Sequence, residues 1–105
     1  MINEALLTEA IRRIVEGFRP YRILLFGSQA RGTADDYSDV DLLVICPFEG
    51  KRRNLVTRID RSLKGLRIAR DIIVLTPDEF DRDRLIPGTI ARPAWREGKV
   101  LYERA

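Results

Sequence analysis

Apolar residues recur along the chain in two alternating rhythms. Leu7, Ile11, Ile14 and Phe18 fall at helical spacing, with Asn3 placed to cap the start, Gly17 near the end and Pro20 just beyond, so residues 3 to 17 read as an amphipathic helix. Short apolar runs follow at 21 to 26, stopping at Gly27, and at 40 to 45, stopping before Pro47; both read as buried strands. The stretch between them reads as a loop or a single helical turn. Over residues 51 to 66, Leu55, Ile59, Leu63 and Leu66 share one face and most of the cations lie elsewhere, which predicts a second amphipathic helix ending near Gly65. Ile72, Ile73 and Val74 make residues 71 to 75 the most strand-like segment, with neighbours expected on both its faces. Pro77, Asp78 and Glu79 open a short helix, residues 87 to 97 suggest another that Pro93 interrupts, and residues 99 to 102 suggest an edge strand after Gly98. No repeat, linker or low-complexity segment breaks the pattern. The expected fold class is a single α/β (α+β) domain over residues 1 to 105, a small mixed sheet flanked by helices.

Composition narrows the chemistry. A chain of 105 residues is expected to form one hydrophobic core. It has no histidine and one cysteine, Cys46, which excludes hydrolases built on a His base and zinc sites of the Cys/His type. Any metal must therefore be held by oxygen ligands. Cys46 cannot form an internal disulfide and is expected to be a small buried residue at a strand end, and no apolar run is long enough to span a bilayer, so the expected address is cytoplasmic and no membrane contact is expected. Trp95 and Tyr102 are expected in the core or at an interface.

The net charge of +3 is a sum of segregated blocks. Lys51 to Arg70 holds eight basic residues against Asp60, Asp71 to Asp83 holds five acidic residues against Arg82, and Asp35 to Asp41 holds four aspartates and no base. The basic block is read as a solvated surface. Its cations do not interleave with aromatics as on a stacking platform, and direct nucleic-acid binding is not expected.

The informative stretch runs LLFGSQARGTADDYSDVDLLVI from Leu24 to Ile45. A strand running into Gly27 and Ser28 is a common way to cradle phosphate, because glycine lets an anion approach the backbone. Residues 27 to 33 partly match the phosphate-binding loop G-x-x-x-x-G-K-[ST], but Thr33 stands where the lysine should be, which argues against that reading. Asp39 and Asp41 open the second strand, and a strand's two-residue period sets them on one face roughly 6.5 to 7 Å apart. Paired carboxylates repel unless a cation lies between them, so the pair is read as a divalent-metal site. Asp71 begins the next strand. If the two strands are neighbours, Asp71 arrives at the same spot, and three aspartates could hold two Mg²⁺ ions roughly 3.5 to 4 Å apart, the spacing suited to phosphoryl and nucleotidyl transfer.

Gly27-Ser28, ten intervening residues and Asp39-Val40-Asp41 resemble the G-S-x₁₀-D-x-D signature of the polymerase-beta-like nucleotidyltransferase superfamily. The wider context, Gly27-Ser28-Gln29-Ala30-Arg31-Gly32 and Ser38-Asp39-Val40-Asp41-Leu42, resembles its minimal nucleotidyltransferase (MNT) branch. A third aspartate at a strand start and the stretch from Arg96 to Glu103 continue the likeness over nearly the whole chain. The resemblance implies a small mixed sheet with helices and Mg²⁺-dependent transfer of a nucleoside monophosphate, AMP from ATP, with release of pyrophosphate. It implies that Gly27 and Ser28 grip the β- and γ-phosphates, that Asp39 and Asp41 bind metal, and that Asp71 binds the catalytic ion and positions or deprotonates the acceptor hydroxyl. Arg31 either contacts phosphate or pairs with Asp35 or Asp36. Many such proteins are antitoxins of a HEPN-domain ribonuclease toxin, some by attaching AMP to a tyrosine of that partner. Two alternatives stand beside this reading: an antitoxin that acts by binding alone, and an enzyme modifying a small molecule, as the antibiotic nucleotidyltransferases do. The latter usually carry a second helical domain for the acceptor, and a nucleotidyl-transfer core without one is expected to find its acceptor on a partner.

Overall fold

A computed structural model describes residues 3–27 and 39–104. Among them are helices α1 (Glu4–Phe18), α2 (Arg52–Ser62), α3 (Pro77–Asp83) and α4 (Ala91–Glu97), and strands β1 (Arg22–Phe26), β2 (Val40–Ile45), β3 (Arg70–Leu75) and β4 (Lys99–Glu103). The strands form one mixed sheet in the order β3-β2-β1-β4. β1 is antiparallel to both its neighbours, while β2 and β3 run parallel and are joined through α2. The expected α/β fold class holds.

Alternation along the strands sorts the core onto two faces. Ile23, Leu25, Val40, Leu42, Val44, Ile72 and Val74 pack against Ala10 and Ile14 of α1 and against Leu55, Ile59 and Leu63 around α2. Leu24, Leu43 and Ile45 face the other way, onto Phe80 of α3 and Ala91 and Ala94 of α4. The result is three layers, with the sheet in the middle.

Local chemistry sets the helix ends. The Asn3 side chain accepts the Leu6 N–H at 3.2 Å, and Arg19 takes the left-handed conformation that closes α1, so the turn falls two residues after Gly17. Thr76 and Glu79 form a reciprocal capping box at α3, with Pro77 in the first turn.

Several features depart from the sequence expectations. α2 stops at Ser62 and not near Gly65. Pro93 does not interrupt α4, because it is the third helical residue, where no intrahelical partner for an N–H is required. That helix also begins at Ala91, later than residue 87. β3 is an edge strand, so Ile72 and Val74 are buried while Ile73 and Leu75 are only partly covered; α3 and α4 reach the central strands first. Trp95 is 44% exposed and lies outside the core, whereas Tyr102 packs partly buried against it and Cys46 is buried as expected. Burial pushes the Cys46 thiol up from its ordinary pKa.

The basic block is more than a solvated face. Arg52 donates to the Val74 carbonyl at 2.8 Å and holds Glu79 through two bonds of 2.8 and 2.7 Å, joining α2, β3 and α3. Arg70 holds Asp60 at 2.9 Å, tying the start of β3 to α2. From α1, Arg13 reaches the Ser62 and Lys64 carbonyls at the end of α2. These arginines fix the outer layers at places where apolar contact is thin.

Candidate functional site

The sheet register decides which of the sequence-predicted residues meet. β2 and β3 pair in parallel with Val40 opposite Arg70 and Asp41 opposite Asp71. Neighbouring strands lie about 4.8 Å apart, and partners in register point to the same face, so the two carboxylates are brought side by side. Asp39 stands just before β2, exposed, and the ladder continues to that point through the Val40 N–H on the Ala69 carbonyl at 2.8 Å.

The same register brings the end of β1 to the site. Phe26 pairs with Asp41, and the next residue is Gly27. Its φ of 74° lies in the left-handed region, and a Cβ at this position would fall 2.3 Å from Oδ2 of Asp41. No side chain fits there. Glycine is required both for the turn and for the close approach of backbone to carboxylate. Ser28 and Arg31 lie outside the described residues, as does the expected loop or helical turn between β1 and β2.

The aspartates occupy the face that α3 and α4 cover, but at the opposite end from the packed cluster of Leu24, Leu43, Ile45 and Phe80. Asp71 is exposed and Asp41 partly buried. This end of the sheet, where β1 ends and β2, β3 and β4 begin, therefore presents carboxylates and a glycine backbone in accessible positions. A groove of about 310 Å³ lies at the other end of the sheet, between Tyr21, Arg22, Glu103 and Arg104. Its arginines are already engaged, Arg22 with Glu103 and Arg104 with the Tyr21 ring and the Arg19 carbonyl.

An all-carboxylate donor set suits hard divalent cations such as Mg²⁺, which favour oxygen ligands from one or two carboxylates and complete their shell with water and phosphate. Asp41 and Asp71 meet that requirement in chemistry and in register, and Asp39 precedes the strand by one residue. They do not form a ready-made cage, since among the described residues no three acidic or sulfur side chains close on a single point. The glycine signal was readable from the sequence because it sits at a strand end ahead of an acidic pair. What it could not reveal is that Gly27 abuts Asp41 itself.

Among the described residues no helix is long and apolar enough to cross a membrane. The chain is similar in fold to a crystal structure described as "a putative nucleotidyltransferase from Sulfolobus solfataricus", with a TM-score of 0.68 and 24% identity over 95% of this chain and 79% of that one. It is also similar to a crystal structure described as "the toxin-antitoxin with AMP-PNP", with a TM-score of 0.61 and 22% identity over 98% of this chain and 75% of that one. A Methanocaldococcus jannaschii protein named "putative protein adenylyltransferase" is 54% identical over 52 residues, half of this chain and 29% of that protein. The chain thus spans under a third of that relative's length. The nucleotidyltransferase domain family matches residues 7–100. With the fold, the paired strand-end aspartates and a family match over nearly its whole length, the chain belongs to the nucleotidyltransferase domain family.

Proposed function

We propose that the protein is a Mg²⁺-dependent nucleotidyltransferase that moves AMP from ATP to a hydroxyl, a tyrosine, of a partner HEPN-domain toxin and so acts as its antitoxin. The observation that carries the reading is the level placement of Asp41 and Asp71 with Gly27 against Asp41. Further support comes from the sequence relative named a putative protein adenylyltransferase and from the fold neighbour described as a toxin-antitoxin with AMP-PNP. Asp39, Asp41 and Asp71 would hold the Mg²⁺, which when bound neutralises phosphate charge and the developing charge on the attacking and leaving oxygens. Gly27 offers its backbone to the triphosphate, and the same reading gives Ser28 a phosphate-binding role. Asp71, exposed where Asp41 is partly buried, accepts the proton as the acceptor oxygen bonds to the α-phosphorus. The bond from that phosphorus to its bridging oxygen breaks, and pyrophosphate leaves.

One observation also suits the alternative of an antitoxin that acts by binding alone: the fold neighbour is described as a toxin-antitoxin. A single experiment separates the readings. The protein is incubated with labelled ATP, Mg²⁺ and the proposed HEPN-domain partner, as wild type and as Asp39→Asn/Asp41→Asn. Label on the partner with wild type, lost in the variant together with toxin neutralisation, supports transfer. Neutralisation that survives in the variant without any label overturns it.

A further inference from the structure

Six large apolar residues among those described are exposed, and five of them fall between residues 85 and 100: Leu85, Ile86, Ile90, Trp95 and Val100. They lie on or beside the helix pair that covers the catalytic face of the sheet. Trp95 is held rigidly. Its ring meets the edge of buried Phe80 at 6.0 Å and 74°, and the Arg84 guanidinium stands 4.7 Å from its centroid. Arg92 reaches the Leu85 carbonyl at 3.5 Å, so the α3–α4 connection and α4 form one surface. Such a preordered tryptophan among aliphatics, flanked by arginine, has the composition of an interface centre.

The stretch around it is basic on balance. From Arg84 to Glu97 the chain carries Arg84, Arg92 and Arg96 against Glu97. The nearest carboxylates upstream are engaged, Asp83 with Arg82 at 2.7 Å and Asp81 with Arg84 at 3.9 Å. The surface also leads to the site. α4 ends at Gly98, where a Cβ would meet the Leu25 carbonyl at 2.9 Å, and Lys99 pairs with Leu25, two residues before Gly27.

We propose that the α3–α4 surface centred on Trp95 docks the acceptor, a partner protein whose contact face is apolar at its centre and acidic at its rim, and that docking there brings the acceptor hydroxyl to the aspartates. A single-stranded nucleic acid fits less well, because Leu85, Ile86, Ile90 and Val100 offer no ring for bases to stack on and Trp95 stands as the lone aromatic of the surface. This inference rests on the proposed transfer to a protein.

The test follows label from [α-³²P]ATP with Mg²⁺ into proteins of an extract of the source cells, comparing wild type, Ile86→Lys/Arg96→Glu, and Arg58→Glu on the outer face of α2 as a control. AMP-PNP affinity is measured in parallel. The expected result is a drop of about tenfold or more in protein labelling for Ile86→Lys/Arg96→Glu, with AMP-PNP affinity and Tm unchanged and the control behaving as wild type. Labelling equal to wild type overturns the docking surface while leaving the transferase reading intact. Label appearing on RNA and not on protein also overturns it. No label on any macromolecule with wild type overturns both readings together.

Discussion

Asp41 and Asp71 stand level with each other across the only parallel strand pair described, on the face of the sheet opposite α1 and α2. Side-by-side carboxylates at strand ends repel one another in water, and a divalent cation turns that repulsion into attraction to a common centre. Added Mg²⁺ should therefore raise the Tm of the wild type by mass action, by the equivalent of about 2.7 kcal/mol at a hundred times its Kd. Asp71→Asn should abolish most of that rise. A Mg²⁺-induced shift identical in the two proteins would show that the ion binds elsewhere.

Transfer should fall further than folding in the same variants. Asp41→Asn and Asp71→Asn each remove a group that the proposed mechanism sets at the reacting centre, and the loss should exceed the roughly 10- to 100-fold typical of residues that merely support metal ligands. Circular dichroism should stay unchanged, because both side chains lie at strand ends outside the packed clusters. Residual transfer above a tenth of wild type would remove these residues from the chemistry.

Gly27→Ala should destabilise the fold by at least about 1–2 kcal/mol, the cost of a left-handed non-glycine residue, with the contact on Asp41 added to it. Asp41→Ala in the same chain removes the oxygen that the new methyl would strike. The double variant should accordingly be more stable than the sum of the single changes predicts, a coupling readable in a urea-denaturation cycle. Simple additivity would mean that the two residues do not touch.

Acid should loosen the tie between α2 and α3. The Arg52 guanidinium, with the Thr76 backbone N–H, holds the Glu79 carboxyl down to about 2 from its ordinary 4.5. A depressed folded value means that the stabilisation is present above pH 4.5 and is lost as pH falls from there toward 2. Urea midpoints of the wild type should drop across that window, and those of Glu79→Gln should start lower at neutral pH and vary less. Glu9, lowered to about 2 chiefly by Arg12 and then by Arg13, titrates in the same window, but its pairs lie on an open helix face where solvent screens them, so the difference between the two proteins isolates Glu79. Parallel curves would show that the Arg52–Glu79 bridge contributes nothing to stability.

The elements were legible because period and punctuation agree. A helix-spaced stripe between Asn3 and Pro20, and apolar runs ending at Gly27 and before Pro47, each admit one reading. The meeting of Asp71 with Asp41 was legible as well, once β2 and β3 were taken as neighbours. What stayed hidden depends on distant parts of the chain. Nothing local distinguishes Arg52, which bridges three elements, from Arg53 or Arg58 beside it. For Trp95 the sequence leaves core and interface both open; only the packing of small Ala91 and Ala94 beneath α4 reveals that the core is filled without it. Position, likewise, separates a disruptive Pro93 from the harmless first-turn proline it is.

The strand order separates two tasks along the chain. Everything that places the aspartates belongs to residues 22–75, which supply β1, β2 and β3, whereas Trp95 and its arginines belong to residues 77–103, which add two helices and the strand β4 on the outer flank of β1. The junction at Thr76 and Pro77 is a turn stapled by the capping box of Thr76 with Glu79, so it keeps its shape where the second stretch keeps that glutamate. Exchange of the second stretch would then redirect the chemistry to a new acceptor only where the newcomer again buries Leu24, Leu43 and Ile45, as Phe80, Ala91 and Ala94 do.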